Sequence, residues 1–539
     1  MGCRFQEYFV EMPDGVKLYT WVVLPEKVGR YPAIVCRNPY VETKADPAEY
    51  QEYDPMGYVR VFQHCRGCGM SEGDFIPYIN ERSDGLALLE WIRRQDFYNG
   101  ELFLAGGSYL ASVHYSYLDT NPEDVKAAYL AVQDTERYNI AYRNGFFKTG
   151  LHGNWAVKMY RKTAGLVKSI VNESWQTRPL KGITSTICGE LNLQLEEEMN
   201  HPDPRDEFWQ TPAGGSDYSG AAARSHIPIH LATSWYDLYT EGVCDMWESL
   251  SVERKRDCTL VITPYEHAFN DAERALLKFP DATLSENIST PPEINWFEHF
   301  RINRALEFVQ RGKVIYYTMF ENRWHCAEHL PRGQNRIELF LTPERELVSE
   351  KPAGGSLTYR YNPYAPASFK GGVCNNFGGL QIQDPPNSRY DIISFISGEL
   401  PEMICNGQIE LELEVGTTAP DSCFYARLDL VKTENGEEIA YSLRDDIDSV
   451  CRQYPEYLPN GKVVLKFRFS PHSFKISAGE KLRLDISSSC VPHFLVHPNR
   501  KGAMTEQSGA DISDNTLYCG NSKLILFADG NAEDFTVSL

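Results

Sequence analysis

The fold is decided by one stretch of the 539-residue chain, Glu101-Leu-Phe-Leu-Ala-Gly-Gly-Ser-Tyr-Leu-Ala111. Its apolar first half predicts a buried strand, and residues 113–118 predict the body of a helix. The two glycines permit a sharp turn between them, which would lift the Ser108 hydroxyl above a sheet edge, as in a nucleophile elbow. From this stretch alone, a glycine-rich βα turn with an ordinary serine stays an alternative. The reason is Leu110, which replaces the second glycine of the general G-x-S-x-G pattern.

A nucleophilic serine needs two partners, because its hydroxyl requires a base within hydrogen-bond reach and a carboxylate that orients this base. Strands predicted at residues 229–232 and 260–263 end shortly before Asp237 and His267. Open α/β sheets place their sites beyond the carboxyl ends of strands. Taken singly, Asp237 could cap a loop and His267 could be structural. The chain order Ser108, Asp237, His267 is that of α/β-hydrolases and therefore favours a catalytic triad.

The remaining sequence predicts three further parts of the molecule. Strand-like and helix-like segments alternate at residues 31–35, 58–63, 85–94 and 102–105, which predicts a parallel βαβ sheet. This alternation stops at about residue 138 and returns at 227–232, which indicates a helical insertion. Alternating segments beyond about residue 333 indicate an all-β domain. We therefore predict an α/β-hydrolase fold with an inserted helical cap and a C-terminal all-β jelly-roll domain. The predicted boundaries are 1–137 and 226–332 for the two parts of the α/β-hydrolase domain, 138–225 for the cap, and 333–539 for the C-terminal β-sandwich or jelly-roll domain.

The composition argues against several classes of protein. With 42% hydrophobic residues the chain is too apolar to be disordered. The net charge of -21 opposes binding to nucleic acid or to anionic lipid. No apolar run approaches the ~20 residues of a membrane-spanning helix, and the first residues lack the pattern of a secretion signal. We expect a cytoplasmic protein with reduced cysteines and with no nucleic-acid or membrane partner.

Motifs spread along nearly the whole chain resemble the CocE/NonD hydrolases, the family of cocaine esterases and X-Pro dipeptidyl-peptidases. Ser108-Tyr109 is similar to that family's G-x-S-Y-x-G elbow, although Ala111 replaces the last glycine, and Trp235-Tyr236-Asp237 is similar to its acid segment. His64 stands where the family usually has an aspartate, which puts in doubt a salt bridge around Arg66. The other similar stretches are Met12-Pro-Asp-Gly15, Arg37-Asn-Pro-Tyr40, Arg66-Gly-x-Gly-x-Ser-Glu-Gly73, Asp84-Gly85 with Trp91-Ile92, Asn99-Gly100, and Ser487-Ser-Ser with Pro492 and Asn499.

The resemblance implies the rest of the site. The Tyr40 phenol and the backbone N–H of Tyr109 would form the oxyanion hole, which needs two preorganised donors. We expect a serine hydrolase that cleaves a small-molecule carboxylic ester or simple amide through an acyl-enzyme and needs no metal or organic cofactor. Ser108 would be the nucleophile, His267 the base and acid, and Asp237 the residue that fixes the imidazole tautomer. A homodimer is an open option.

Two other functions stay open. The first is an X-Pro dipeptidyl-peptidase or an α-amino-acid ester hydrolase or acylase, in which a cap carboxylate would receive the substrate ammonium group. The second is a catalytically silent protein whose β domain binds carbohydrate.

Three rival clusters are interpreted as structural. Cys65 and Cys68 have the spacing of a metal half-site, but no second pair follows at a zinc-like distance. His325 and His329 are expected to pack rather than to ligate a metal. The acidic run at residues 196–198, together with Asp203 and Asp206, is expected to be a solvated face of the cap.

Overall fold

The structure is a computed structural model that describes residues 3–40, 56–160, 172–267, 275–373 and 379–529. Within these ranges the strands form one ten-stranded sheet, one twelve-stranded sheet and a short hairpin. None of the helices in the described ranges has the length and apolar character that a membrane crossing requires.

The first sheet is built by strands that precede residue 330. In chain order, the strands of this part are β1 (Cys3–Glu11), β2 (Lys17–Pro25), β3 (Tyr31–Asn38), β4 (Val59–His64), β5 (Tyr98–Gly107), β6 (Val125–Ala131), β7 (Tyr142–Arg143), β8 (Phe146–Phe147), β9 (Ile229–Ser234), β10 (Thr259–Thr263), β11 (Val314–Thr318) and β12 (Arg323–Ala327). β7 and β8 pair only with each other. The other ten lie in the order β1-β2-β4-β3-β5-β6-β9-β10-β11-β12.

The centre of this sheet is parallel, and its edges are antiparallel. The pairs from β4 through β3, β5, β6, β9 and β10 to β11 are parallel, while β1, β2 and β12 join in antiparallel pairs. Every residue of β9, β10 and β11 is buried. Such apolar strands fit a parallel sheet that is covered on both faces.

Helices cover the sheet and build the segment between β6 and β9. They are α1 (Glu81–Arg93), α2 (Tyr109–Leu118), α3 (Arg137–Ala141), α4 (Asn154–Tyr160), α5 (Ile183–Cys188), α6 (Leu193–Met199), α7 (Ala221–Arg224), α8 (Thr240–Ser249), α9 (Val252–Lys255), α10 (Leu284–Asn287), α11 (Pro292–Ile302) and α12 (Val450–Gln453). A π-helical turn spans Thr149–Gly153, and 3-10 turns span Glu207–Gln210 and Met504–Glu506. α1 packs closely on α2, since a Cβ on Gly85 would lie 2.4 Å from the Tyr117 ring. The segment from α3 to α7 is the helical cap.

The second sheet follows residue 333 and is almost entirely antiparallel. Its strands are β13 (Asn335–Leu341), β14 (Glu346–Val348), β15 (Gly355–Tyr361), β16 (Ile393–Ser397), β17 (Met403–Gly407), β18 (Glu410–Thr417), β19 (Cys423–Glu434), β20 (Glu437–Ser449), β21 (Val463–Arg468), β22 (His472–Ile476), β23 (Lys481–Ser487) and β24 (Ser513–Asp529). β24 is the longest and pairs with β13, β15, β17 and β18, so that the sheet curls around it. The predicted fold class is confirmed, while the residue boundaries of the domains stay predictions.

The β domain packs against the ten-stranded sheet and the cap through polar contacts. The Tyr236 hydroxyl donates to the Ser442 carbonyl at 2.6 Å, and the Arg143 guanidinium lies 2.8 Å from an Asp446 carboxylate oxygen. Arg143 belongs to the cap, so the β domain contacts both the sheet and the cap.

The expected weakness around Arg66 is not found. His64 is buried where a carboxylate was expected, but Arg66 pairs with Asp14 and with Asp84, each at 2.7 Å. The salt bridge therefore forms with carboxylates from other parts of the chain.

Candidate active site

Ser108 lies at a strained turn between β5 and α2. Its φ of 57° and ψ of -131° fall in a region that costs a non-glycine residue on the order of 1–3 kcal/mol. Gly106 makes the turn possible, because a Cβ there would lie 2.1 Å from the Leu110 carbonyl oxygen. Ala111 is fully buried, and its backbone N–H donates to the Ser108 carbonyl at 2.8 Å. The elbow thus forms with alanine in place of the last glycine.

The structure brings the three predicted side chains together. His267 Nε2 lies 2.9 Å from Ser108 Oγ, and His267 Nδ1 lies 2.8 Å from Asp237 Oδ1. An ionised carboxylate only accepts hydrogen bonds, so the Nδ1 proton points to Asp237 and Nε2 accepts from the serine hydroxyl. This is the tautomer that a general base requires.

Asp237 is held by groups that the sequence analysis missed. Its side chain is fully buried, and Asp237 Oδ2 accepts a hydrogen bond from Thr233 Oγ1 at 2.9 Å. The Ser234 hydroxyl donates to the Glu266 carbonyl at 2.5 Å and so ties the end of β9 to the loop that holds His267. Thr233 and Ser234 are ordinary strand residues in the sequence, and only the pairing of β9 with β10 shows their role.

Tyr40 lies beside Ser108 as the resemblance implied. Its hydroxyl accepts a hydrogen bond from Trp155 Nε1 at 3.2 Å and also interacts with the Ser108 side chain and the backbone of Tyr109. The Tyr40 side chain is 42% exposed overall, yet desolvation of the phenol raises its pKa above the ordinary value of 10. The phenol is therefore a protonated hydrogen-bond donor at neutral pH. Trp155, which comes from the cap, was not predicted.

Tyr109 is fixed by contacts on its side chain. Its hydroxyl donates to Glu81 at 2.9 Å and accepts from the Tyr78 backbone N–H at 2.7 Å. Glu81 is in turn paired with buried Arg37 at 2.6 Å. This network holds the first residue of α2, whose backbone N–H has no partner within the helix and lies at the positive end of the helix dipole.

A small cavity of about 310 Å³ opens above Ser108. Its walls are mainly aromatic, and Ser108, Gln133, His152 and His267 add polar side chains. Among the described residues that line it there is no carboxylate, so the cavity suits a neutral group. The lining residues are Tyr40, Tyr78, Ser108, Tyr109, Gln133, Leu151, His152, Trp155, Leu238, Tyr239 and His267.

The prediction of a solvated acidic face at residues 196–198 is wrong for two of the three side chains. Glu196 is buried and accepts hydrogen bonds from Thr184 N at 3.0 Å and Thr184 Oγ1 at 2.7 Å. Glu198 is buried between Arg137 and His152. Only Glu197 is exposed. Buried partners from elsewhere in the cap offset the cost of burying the two carboxylates.

A second cavity of about 920 Å³ shares the Leu151 and Leu238 walls with the first. Burial lowers the pKa of Lys148 to about 8 and raises the pKa of Asp134 to about 7. The β domain contributes walls to this cavity but none to the described lining of the smaller one. The charged residues around the larger cavity are Asp134, Arg143, Lys148, Glu241, Asp245 and Asp445.

The rival clusters have ordinary environments. Cys65 and Cys68 are both buried. His325 lies on β12 rather than on a helix, 2.6 Å from Glu321 and stacked on Tyr316. In the described part of the chain, no group of three or more His, Cys, Asp and Glu side chains is arranged to hold a metal ion.

Comparison with known proteins gives consistent matches. Residues 14–269 match the family model described as X-Pro dipeptidyl-peptidase (S15 family). Cocaine esterase from Rhodococcus sp. (strain MB1 Bresler) is 23% identical over 550 residues, which cover 92% of this chain and 93% of that protein. Among solved structures, an α-amino acid ester hydrolase matches with a TM-score of 0.82 at 20% identity, over 98% of this chain and 97% of that chain. A CocE/NonD family hydrolase from Staphylococcus aureus matches with a TM-score of 0.67 at 17% identity, over 98% and 93%.

The fold and these matches define a serine hydrolase of the α/β-hydrolase class. Within that class, the chain is similar to X-Pro dipeptidyl-peptidases of the S15 family over residues 14–269 and to cocaine esterase over most of its length, in line with the CocE/NonD resemblance of its motifs. The low identity to the two solved structures means that they establish the shared fold and nothing finer.

Proposed function

We propose that this enzyme hydrolyses small neutral carboxylic esters, and simple amides more slowly, through an acyl-enzyme on Ser108. The observation that carries the proposal is the position of His267, which bridges Ser108 Oγ at 2.9 Å and Asp237 Oδ1 at 2.8 Å. This geometry activates a serine hydroxyl at neutral pH.

The reaction proceeds in two halves. Ser108 Oγ attacks the carbonyl carbon while its proton passes to His267 Nε2, and Asp237 stabilises the resulting imidazolium. The Tyr40 hydroxyl and the Tyr109 N–H donate to the oxyanion of the tetrahedral intermediate. His267 then protonates the leaving oxygen, and the alcohol departs. Water, deprotonated by His267, attacks the acyl-enzyme, and the collapse of the second intermediate releases the acid and restores the serine.

The cavity favours neutral substrates over those that carry an ammonium group. Its described lining has aromatic, aliphatic and polar side chains but no carboxylate, and the nearby cap carboxylate of Glu198 already pairs with Arg137 and His152. The names of the matching family model and of one similar solved structure keep an X-Pro dipeptidyl-peptidase or an α-amino-acid ester hydrolase as the second candidate. Because the matching family model and the similar cocaine esterase are both named for hydrolytic activities, we set the silent carbohydrate-binding alternative aside.

The decisive experiment compares two serine substitutions. Ser108→Ala should lower kcat for 4-nitrophenyl butyrate about 10⁶-fold and abolish labelling by a fluorophosphonate probe. Ser112→Ala is the matched control, since Ser112 lies buried one turn further along α2 and its hydroxyl has no hydrogen-bond partner among the described residues. This control should keep full activity. Retention of more than 1% of wild-type kcat by Ser108→Ala would exclude Ser108 as the nucleophile.

A second assay separates the two candidate substrate classes. The wild-type enzyme should cleave 4-nitrophenyl butyrate and leave an alanyl-prolyl 4-nitroanilide almost untouched. Faster hydrolysis of the dipeptide amide, or loss of its hydrolysis when the free amine is acetylated, would favour the peptidase.

The cytoplasmic location and the homodimer option stay predictions from the sequence. Fractionation of producing cells and light scattering of the purified enzyme test them directly.

A further inference from the structure

One polar side chain in the wall of the small cavity has no part in the proposed mechanism. His152 lines the same cavity as Ser108 and is otherwise buried. It sits in the π-helical turn Thr149–Gly153, and its ring stacks on Trp155 with centroids 5.8 Å apart. Trp155 also stacks on Tyr109, at 5.7 Å. The imidazole is therefore placed by the same aromatic stack that borders the reacting serine.

The hydrogen bond on one side of the ring sets its tautomer. His152 Nε2 lies 2.7 Å from Glu198 Oε2, and the other oxygen of Glu198 pairs with Arg137. Burial acts to raise the pKa of Glu198, but Arg137 and His152 outweigh it and hold the pKa below its ordinary value. Burial lowers the pKa of His152, and Glu198 offsets this only in part. At neutral pH an ionised carboxylate thus faces a neutral imidazole, whose proton must lie on Nε2.

The other ring nitrogen, Nδ1, keeps some exposed surface, and His152 is one of the residues that line the cavity. Nδ1 makes no hydrogen bond to any described residue, and it is not fully enclosed by neighbouring atoms. Since Nε2 carries the proton, Nδ1 presents a lone pair to whatever occupies the space above Ser108. Arg137 neutralises the charge of Glu198, so this position offers an acceptor without a net negative charge.

We propose that His152 Nδ1 determines substrate specificity by accepting a hydrogen bond from a neutral donor, a hydroxyl or an amide N–H, on the ester bound over Ser108. The inference rests on the proposed function and names the substrate class more closely: esters that carry such a donor near the scissile carbonyl. The donor belongs to the acyl group or to the alcohol, according to which half of the ester fills the cavity.

The test uses matched pairs of esters that differ by one hydroxyl. The acyl pair is 4-nitrophenyl 3-hydroxybutyrate and 4-nitrophenyl butyrate, and the alcohol pair is 3-hydroxypropyl butyrate and propyl butyrate, followed by titration of the released acid. For each enzyme the measured quantity is the ratio of kcat/KM for the hydroxylated ester to that for the plain ester. Intrinsic reactivity differences cancel when this ratio is compared between variants.

His152→Phe keeps an aromatic ring in the stack but removes the acceptor. For one of the two ester pairs, the kcat/KM ratio of His152→Phe should be about 3- to 10-fold lower than the ratio of the wild type. A change of this size corresponds to the loss of one neutral hydrogen bond. His152→Asn should retain most of the preference, because its side-chain oxygen offers a lone pair near the position of Nδ1. A merely structural role of His152 would lower both rates of a pair together and leave the ratio unchanged.

His201→Phe is the matched control. His201 is another cap histidine that pairs with carboxylates, Glu197 at 3.4 Å and Asp206 at 2.8 Å, but it lies outside the cavity. For both ester pairs, the kcat/KM ratio of His201→Phe should equal that of the wild type. If the wild type hydrolyses the plain esters and neither ratio responds to His152→Phe, this inference is overturned while the proposed function stands. If the wild type hydrolyses none of the four esters, the proposed function fails as well.

Discussion

Replacing Tyr40 by phenylalanine removes one of the two donors that we assign to the oxyanion hole, and it also removes the acceptor of the Trp155 Nε1 hydrogen bond. The Tyr40 hydroxyl lies among Trp155 Nε1, the Ser108 side chain and the Tyr109 backbone, so the lost atom is the one nearest to the reacting groups. The ring of Tyr40→Phe should occupy the same space, and the Ser108–His267 hydrogen bond does not involve it.

The size of the effect follows from the number of donors that remain. Loss of one preorganised donor lowers kcat by about 10²- to 10³-fold, and the Tyr109 N–H at the start of α2 is still present to prevent a larger loss. KM should change less than about threefold, because this hydrogen bond strengthens only as the oxyanion forms. Desolvation raises the Tyr40 pKa above 10, so the donor keeps its proton from pH 6 to pH 9. The ratio of wild-type to variant kcat should therefore be constant over that range.

The assay is steady-state hydrolysis of 4-nitrophenyl butyrate at several pH values, with unfolding followed in parallel. Tyr31→Phe is the control, since Tyr31 begins β3, the strand that ends shortly before Tyr40, and its hydroxyl donates to the Lys27 carbonyl at 2.8 Å. It should keep wild-type kcat. If Tyr40→Phe retains more than a tenth of wild-type kcat, Tyr40 is not an oxyanion donor, and the second donor must be sought elsewhere.

Two further substitutions test the cavity and the core. Leu151→Ala removes part of the wall that the small and the large cavity share. The kcat/KM for 4-nitrophenyl octanoate should therefore rise about tenfold or more relative to that for 4-nitrophenyl acetate. An unchanged ratio of the two values would show that the two cavities stay separate. His230→Phe replaces a histidine whose pKa burial lowers to about 3, so that only the unfolded chain takes up its proton below about pH 6.5. The wild type should therefore lose stability as the pH falls from 6.5 towards 3. In urea unfolding, the free energy of unfolding of the variant should fall by about 2 kcal/mol less than that of the wild type between pH 7 and pH 5. Equal decreases for the two proteins would contradict a buried neutral imidazole.

The meeting of Ser108, Asp237 and His267 could be predicted because it depends on topology. The predicted strands at residues 229–232 and 260–263 fall within β9 and β10, which are parallel neighbours with Ser234 opposite Thr263. Parallel neighbours end at the same edge of a sheet, so residues just beyond their carboxyl ends must lie close together. No side-chain detail was needed for this step.

The cap could not be predicted in the same way. The π-helical turn that presents His152 has no periodic signature in the sequence, and Trp155 reaches Tyr40 across 115 positions of chain. The buried state of Glu198 depends on Arg137, which lies 61 residues earlier and is equally buried. Three consecutive glutamates suggest an exposed face, because burying a carboxylate is costly unless a cation meets it, and that cation is visible only in the fold.

The reacting groups and the walls of the cavity are held by different parts of the molecule. Ser108, Asp237 and His267 are fixed by the backbone ladder of β5, β9 and β10 and by ties such as Ser234 to Glu266. The described cap residues that meet these groups in the cavity do so with side chains, namely Leu151, His152 and Trp155. A substitution in the cap therefore alters the space above the serine without moving the hydrogen bonds that activate it. For this reason, changes at His152 and Leu151 should shift the choice of substrate, whereas changes at Tyr40 should lower turnover for every substrate alike.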